Sequence, residues 1–255
     1  MYEHANVLHE LQGHLAVVTL NSADTGNALS IDMLHELREI LLQVTASDAH
    51  AILLVGAGRN FSLGADRADL ADFEKGSRES LGEAMTLLAD VIRRIHETQV
   101  PTLAAVQGQA AGAGFSLALA CDLRIAAESA RFNFAYAALG ASPDGGMTWL
   151  LPRIVGWARS QELLLEQPLI RSKQAMAEGL VNAVVPGDEL LERARQFGKL
   201  LANQPTHSMR SVKELIRSSE GVSLGDHMKA ENSLFIAGLD TEYMRDILAT
   251  KKDKA

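Results

Sequence analysis

The chain has 255 residues, 47% of them hydrophobic and 22% charged, with a formal net charge of −8 and one cysteine. The acidic balance argues against a nucleic-acid binder, which needs clustered Lys and Arg, and a lone Cys121 excludes an intramolecular disulfide. A chain this long can bury a proper core as one large domain, or one domain with an appendage.

The first residues, "MYEHANVLHELQG", lack the basic and apolar regions of a secretory signal. No stretch approaches the ~20 consecutive apolar residues of a membrane span. The expected location is the cytoplasm, with no membrane partner. "LAVVTL" (Leu15 to Leu20) predicts a strand, closed by the loop "NSADTGN". A helix follows in "SIDMLHELREILLQV", with Ser30 as its N-cap and Leu34, Leu37, Leu41 and Val44 at helical spacing. "AILLVG" (Ala51 to Gly56) predicts a buried strand that feeds the loop "GAGRNFSLGADRADL". A second helix is expected over Ser80 to Glu97, stopping before Pro101. "TLAAV" (Thr102 to Val106) is a third buried strand, followed by a Gly/Ala loop, a short apolar helix containing Cys121's neighbours, and "DLRIAA" as a fourth strand.

This alternation predicts an α/β fold over the first part of the chain. From about Gly146 the signals turn helical. They include a long amphipathic helix over Asp188 to Pro205 and three more helical segments, bounded near Pro205, Gly221 and Gly238. The expected division is a core over residues 1–200 and a helical region over 201–255.

Chemistry is expected at two glycine-bearing loops that each follow a buried strand, "GAGRNFSLGAD" (Gly56 to Asp66) and "VQGQAAGAGFSLALACD" (Val106 to Asp122). Small residues there let a ligand approach backbone N–H groups. The helix beginning near Gly114 aims its N-terminus at the same spot, offering unpaired donors and partial positive charge. Neither loop is a phosphate loop: the Gly-Lys-Ser/Thr ending is absent, and Gly108, Gly112 and Gly114 miss the dinucleotide spacing. A further stretch, "ALGASPDGGMTW", holds Asp144. By its own chemistry "SPDG" is a turn with Asp144 as a helix N-cap; the other reading makes this carboxylate a catalytic base.

Taken in order, "FSLGAD", "AVQGQAAGAGFSLALACDLRIA", "RFNF", "PDGGMTWLLPRIVG" and "AMAEGLVNAVV" resemble the crotonase (enoyl-CoA hydratase/isomerase) family, closest in motif to its phenylacetyl-CoA-pathway isomerases. The resemblance runs from about Val17 to Val185. It implies a spiral of ββα units with a helical C-terminal region that makes homotrimers or dimers of trimers. It implies acyl-CoA thioester substrates, with coenzyme A as part of the substrate and no other cofactor. It places two enolate-stabilising N–H donors at Ala65 and Ala113. Coenzyme A contacts fall near Leu63 and Arg67, with Gly64, Asp66, Gly112, Ser116 and Tyr136 as further substrate-binding candidates.

The departures from the family pattern narrow the chemistry. Hydratases of the family manage water with two glutamates, and those positions hold Ser116 and Tyr136 here, poor bases near neutral pH. Some isomerases of the family instead carry a carboxylate where Asp144 stands, and shuttle one proton with it. The reading is therefore double-bond isomerisation of an enoyl-CoA with Asp144 as acid and base. A hydratase with non-standard residues, an aryl-CoA dehalogenase using Asp144 as nucleophile, and a non-catalytic acyl-CoA-binding protein are the alternatives. Dehalogenases tend to carry tryptophan where Tyr136 stands. The eight histidines show no metal-spaced helical pair, so no metal site is expected. Asp122 is read as a structural residue at a helix–strand junction.

Overall fold

The computed structural model describes residues 5–66 and 78–252. Two strands, β1 (Val7–Gln12) and β2 (Leu15–Leu20), form an antiparallel hairpin with Gln12 opposite Leu15. Its two-residue turn uses Gly13 in the left-handed region, φ 63°, which suits a tight hairpin. β1 is a strand that the sequence reading lacks. Its outward residues are exposed, so it has none of the apolar continuity that marks β2, β3 (Ala51–Gly56) and β4 (Thr102–Val106).

Those continuous apolar runs are the signature of parallel strands covered on both faces. The main sheet has the order β1-β2-β3-β4-β6-β9, where β6 is Leu123–Ala127 and β9 is Ala183–Val185. Period-2 alternation divides the core across it. Ala16, Val18, Leu20, Ile52, Leu54, Ala104 and Val106 face one layer. Leu15, Val17, Leu53, Val55, Leu103 and Ala105 face the other. A small second sheet joins β5 (Gln109–Ala111), β7 (Arg131–Asn133) and β8 (Ile170–Arg171). These strands of two or three residues are too short to show periodicity, and the sequence reading misses them.

Helix α1 (Ile31–Thr45) starts where expected: Ser30 Oγ accepts from the Met33 N–H at 3.2 Å, and Leu34, Leu37, Leu41 and Val44 are buried. Helix α2 (Arg78–Glu97) packs beside it, burying Leu88, Val91 and Ile95. Helix α3 (Ala113–Ala120) has all eight residues buried, as an apolar-all-round helix must be. β1–β2–α1 and β4–β5–α3 are the expected strand–strand–helix units. α4 (Met147–Val155), α5 (Trp157–Glu166) and α6 (Ser172–Ala177) follow. α7 (Leu190–Ala202) covers the second face of the sheet through Leu190, Ala194 and Ala202. It stays on the sheet as far as Ala202. α8 (Thr206–Ser218), α9 (Leu224–Leu239) and α10 (Glu242–Lys252) complete the described residues.

Asp122 has the structural role expected of it. Its Oδ2 accepts from Thr102 N at 2.7 Å and Thr102 Oγ1 at 2.8 Å, and it pairs with the buried Lys213 ammonium of α8. Lys213 also donates to the Val100 carbonyl at 2.9 Å. Burial pushes the Lys213 pKa down to about 8, against the opposing pull of Asp122. A cavity of about 420 Å³ beside this pair, lined by His96, Leu119, Trp149 and Arg217 among others, contains none of the expected site residues.

Candidate active site

The two glycine loops meet. The loop after β3 is strung between two neighbours. Leu63 N donates to Gly26 O at 3.0 Å, and Leu29 N to Gly64 O at 2.7 Å. On the other side Ser62 N donates to Gln109 O at 3.1 Å and Ala111 N to Ser62 O at 2.9 Å. Asn27 braces it from below. Fully buried and left-handed at φ 56°, it donates to the carbonyls of Ala57 and Asn60 and accepts from Ser22 N. Ser62 Oγ donates to Asn27 O at 2.8 Å and accepts from Gly64 N at 3.2 Å. Asn27 carries no chemistry-bearing motif; its only sequence signal is the turn dipeptide Gly26-Asn27.

Three glycines permit the meeting. A Cβ on Gly64 (φ 88°) would sit 2.6 Å from Ala111 O and 3.4 Å from Ala113 N; one on Gly114 would sit 2.6 Å from Ser62 O. Gly112, the residue before α3, has φ 48° and ψ −122°, a combination closed to side chains with a Cβ. The Ala65 and Ala113 N–H groups are thus carried on touching segments. Neither donates to an acceptor among the described residues. Ala113 is the first residue of α3 and only 4% exposed, so its unpaired donor sits at the positive end of a water-poor helix, where an incoming oxygen is favoured.

Asp144 is attached to the same helix. Ser116, one turn beyond Ala113, donates its Oγ proton to the Asp144 carbonyl at 3.1 Å. Gly145 (φ 56°) lies against Ser116 Cβ, where a Cβ would approach to 2.8 Å, and against Leu88 of α2. The Asp144 side chain does not cap α4. The residue before that helix is Gly146, which has no side-chain cap bond, so the capping reading is overturned. The carboxylate instead accepts from Tyr136 Oη at 2.8 Å through Oδ1. Tyr136 is aimed inward from the loop after β7 by Ala135, left-handed at φ 61°, a conformation costing roughly 1–2 kcal/mol.

Burial raises the Asp144 pKa above the ordinary carboxylate value, while the Tyr136 hydroxyl and the residue's own N–H pull it back. Burial and the neighbouring Asp144 charge raise the Tyr136 phenol far above its usual value, so it is a donor and no base. Ser116, expected among the substrate contacts, is fully buried with its hydroxyl committed to Asp144. It holds the Asp144 backbone against α3. Leu63 is 40% exposed and Asp66 half-buried on the open side of the first loop. Arg67 lies outside the described residues. Leu88 and Ile92 of α2 lie against Gly145 and Gly146, so the buried face of that helix backs the Asp144 turn.

A sequence profile for the enoyl-CoA hydratase/isomerase family matches residues 10–250. The chain is 35% identical over 246 residues to a 1,2-epoxyphenylacetyl-CoA isomerase of Escherichia coli (strain K12), covering 95% of this chain and 94% of that one. It is 31% identical over 252 residues to a short-chain-enoyl-CoA hydratase of Clostridium acetobutylicum, covering 98% and 95%. Among solved structures, an enoyl-CoA hydratase from Polaromonas sp. JS666 superposes with a TM-score of 0.90 at 29% identity, covering 97% of each chain.

Proposed function

The chain belongs to the enoyl-CoA hydratase/isomerase family, an enzyme of the crotonase type, and from that premise we propose that it isomerises an enoyl-CoA with Asp144 as acid and base. The observation that carries this reading is the Tyr136–Asp144 hydrogen bond. It keeps the carboxylate off the helix end and half-buried beside α3, which supports its use as the single acid. The residues at the two hydratase glutamate positions are both committed to Asp144, Tyr136 to its carboxylate and Ser116 to its carbonyl.

In the proposed reaction the thioester oxygen accepts from the Ala65 and Ala113 N–H groups. Asp144 removes a proton from the α-carbon, and the negative charge collects on that oxygen as an enolate. The protonated Asp144 then returns the proton at the γ-carbon, moving the double bond without net gain or loss of atoms. One such donor is worth about 2.7–4 kcal/mol to an oxyanion. The raised pKa of Asp144 brings its basicity toward the working pH, the condition for an efficient shuttle. Coenzyme A approaches along Leu63, Gly64, Asp66 and Arg67, with Gly112 at the thioester, and enters only as part of the substrate. A homotrimer or dimer of trimers and a cytoplasmic location belong to the same proposal. Exposed apolar side chains on α9, Leu224, Phe235 and Ile236 among them, support assembly. Among the described residues no helix is long and apolar enough to cross a membrane.

The test is turnover of 3-enoyl-, 2-enoyl- and aryl-CoA thioesters by the purified enzyme and its Asp144→Asn variant. Isomerisation should dominate and fall by about 10²–10⁴-fold in the variant. Undiminished isomerisation in Asp144→Asn refutes the assignment of the base, and hydration outrunning isomerisation makes the enzyme a hydratase.

A further inference from the structure

Both donors of the proposed enolate site are main-chain N–H groups, so their aim is set by whatever fixes their peptide planes. For Ala113 that is the first turn of α3. Ala65 stands in a loop and needs another support. The Gly64 carbonyl and the Ala65 N–H share one trans peptide plane and point in opposite directions. Leu29 N donates to that Gly64 carbonyl at 2.7 Å, and Leu29 pairs with Ala65 in an isolated parallel bridge. Leu29 therefore turns the Ala65 N–H away from residues 26–29. Leu29 is itself buried and directly precedes Ser30, the N-cap of α1.

The segment that carries Leu29 is held by one side chain. Asn27 Nδ2 donates to Ala57 O at 2.9 Å and to Asn60 O at 2.8 Å, and its Oδ1 accepts from Ser22 N at 2.9 Å. A second link leaves from its backbone. Asn27 O accepts from Ser62 Oγ at 2.8 Å, and that Oγ accepts from Gly64 N at 3.2 Å. Both links end on Gly64, the residue before Ala65. Few residues could stand at position 27. Two carbonyls need two protons and the Ser22 N–H needs a lone pair, a set that a primary amide supplies in one orientation only. A carboxylate has no proton for either carbonyl. The backbone is left-handed, φ 56°, a conformation in which asparagine is enriched over other side chains with a Cβ.

We propose that Asn27 is a positioning residue of the reaction: it aims the Ala65 N–H at the thioester oxygen through Leu29 and Ser62. This rests on the enolate chemistry proposed for Ala65 and Ala113. Asn27 is fully buried and acts only through these neighbours. A residue that merely stabilised the fold would lower the folded fraction and leave each folded molecule at its full rate. Asn27 lowers the rate of the folded molecule when it is lost. The aim of a donor matters most where negative charge has collected on the oxygen, in the transition state, and least in ground-state binding.

Asn27→Gly tests this in the full-length enzyme. Glycine keeps the left-handed backbone and the carbonyl that Ser62 uses, and removes the three side-chain bonds. Circular dichroism and a cooperative thermal transition establish folding. In the folded variant kcat for enoyl-CoA isomerisation should fall by about 10²-fold, while Kd for a saturated acyl-CoA stays within about threefold of the parent. Isotope-edited difference infrared spectroscopy of the thioester carbonyl reads the donors themselves. Binding should move that band to lower frequency in the parent and by less in the variant. Ser62→Ala breaks the second link with Asn27 in place. It should show the same split to a smaller degree, and it decides the matter where Asn27→Gly does not fold. A folded variant with the parental kcat and the parental band overturns the proposal. So does a fall in kcat with the band unmoved from its parental position. A parent whose carbonyl band does not move on binding overturns the enolate-site reading itself, a result distinct from both.

Discussion

Replacing Gly114 by alanine sets two effects against each other. Gly114 lies inside α3 with an ordinary helical backbone, where alanine is favoured by roughly 0.5–1 kcal/mol. The added Cβ, however, would meet Ser62 Oγ at 2.5 Å and both Ser62 Cβ and Ser62 O at 2.6 Å. Ordinary carbon contacts begin near 3.4 Å, so the two segments must part by about 0.8 Å, and one of the opposing atoms is backbone. Overpacking of this kind costs about 1–3 kcal/mol and outweighs the helix preference. The displacement falls on the contact that joins the Ala65 segment to the Ala113 segment, and a shift near 1 Å in a reactive frame can cost about 10²-fold. Gly114→Ala should therefore lose about 1–2 kcal/mol in urea unfolding and about 10²-fold in kcat/KM for enoyl-CoA isomerisation. Removing the side-chain half of the clash with Ser62→Gly in the same chain should recover part of the stability. A variant that folds with the stability lost but keeps kcat/KM within about threefold of the parent would refute the claim that this spacing is catalytic.

The phenol of Tyr136 lowers the Asp144 pKa against the upward push of burial. Tyr136→Phe should move the acid limb of the kcat/KM pH profile to higher pH, and a limb that stays put would mean the titrating base is another group. Asp144→Asn should unfold at neutral pH no more easily than the parent. A buried carboxylate with a raised pKa is stabilising only in its protonated form, and its charged-state cost is fully present above its folded pKa; a chemical-denaturation series checks this. Lys213, with a folded pKa of about 8 against an ordinary 10.5, makes the unfolded chain the stronger proton binder between those values. The parent should gain stability relative to Lys213→Met by about 2–3 kcal/mol as pH rises through that window, and equal slopes for the two proteins would contradict the burial of a charged ammonium.

How far the sequence reading reached depended on how local each signal was. β2, β3 and β4 are legible because both their faces are covered, so the chain itself is continuously apolar. β1 is not, because its outward face is solvated. The two donor loops are legible as crowded small residues, but the reason for each glycine lies in its neighbour across space: Ala111 for Gly64, Ser62 for Gly114, Ser116 for Gly145. Asp144 could be singled out from its motif, yet its own turn chemistry favoured capping equally. The contact that draws its carboxylate away from the helix end comes from Tyr136, eight residues away.

Helix α3 has no solvent face, and this divides the molecule's freedom to change. Every side chain of α3 is enclosed by core, so substitutions along it are tested first by folding and seldom survive to be tested by substrate. Helix α2 is different in kind. It buries Leu88, Val91, Ile92 and Ile95 on one face and leaves the other open, so folding screens substitutions on the open face far less severely. Change can therefore accumulate along the outside of α2 while the helix that carries Ala113 stays still.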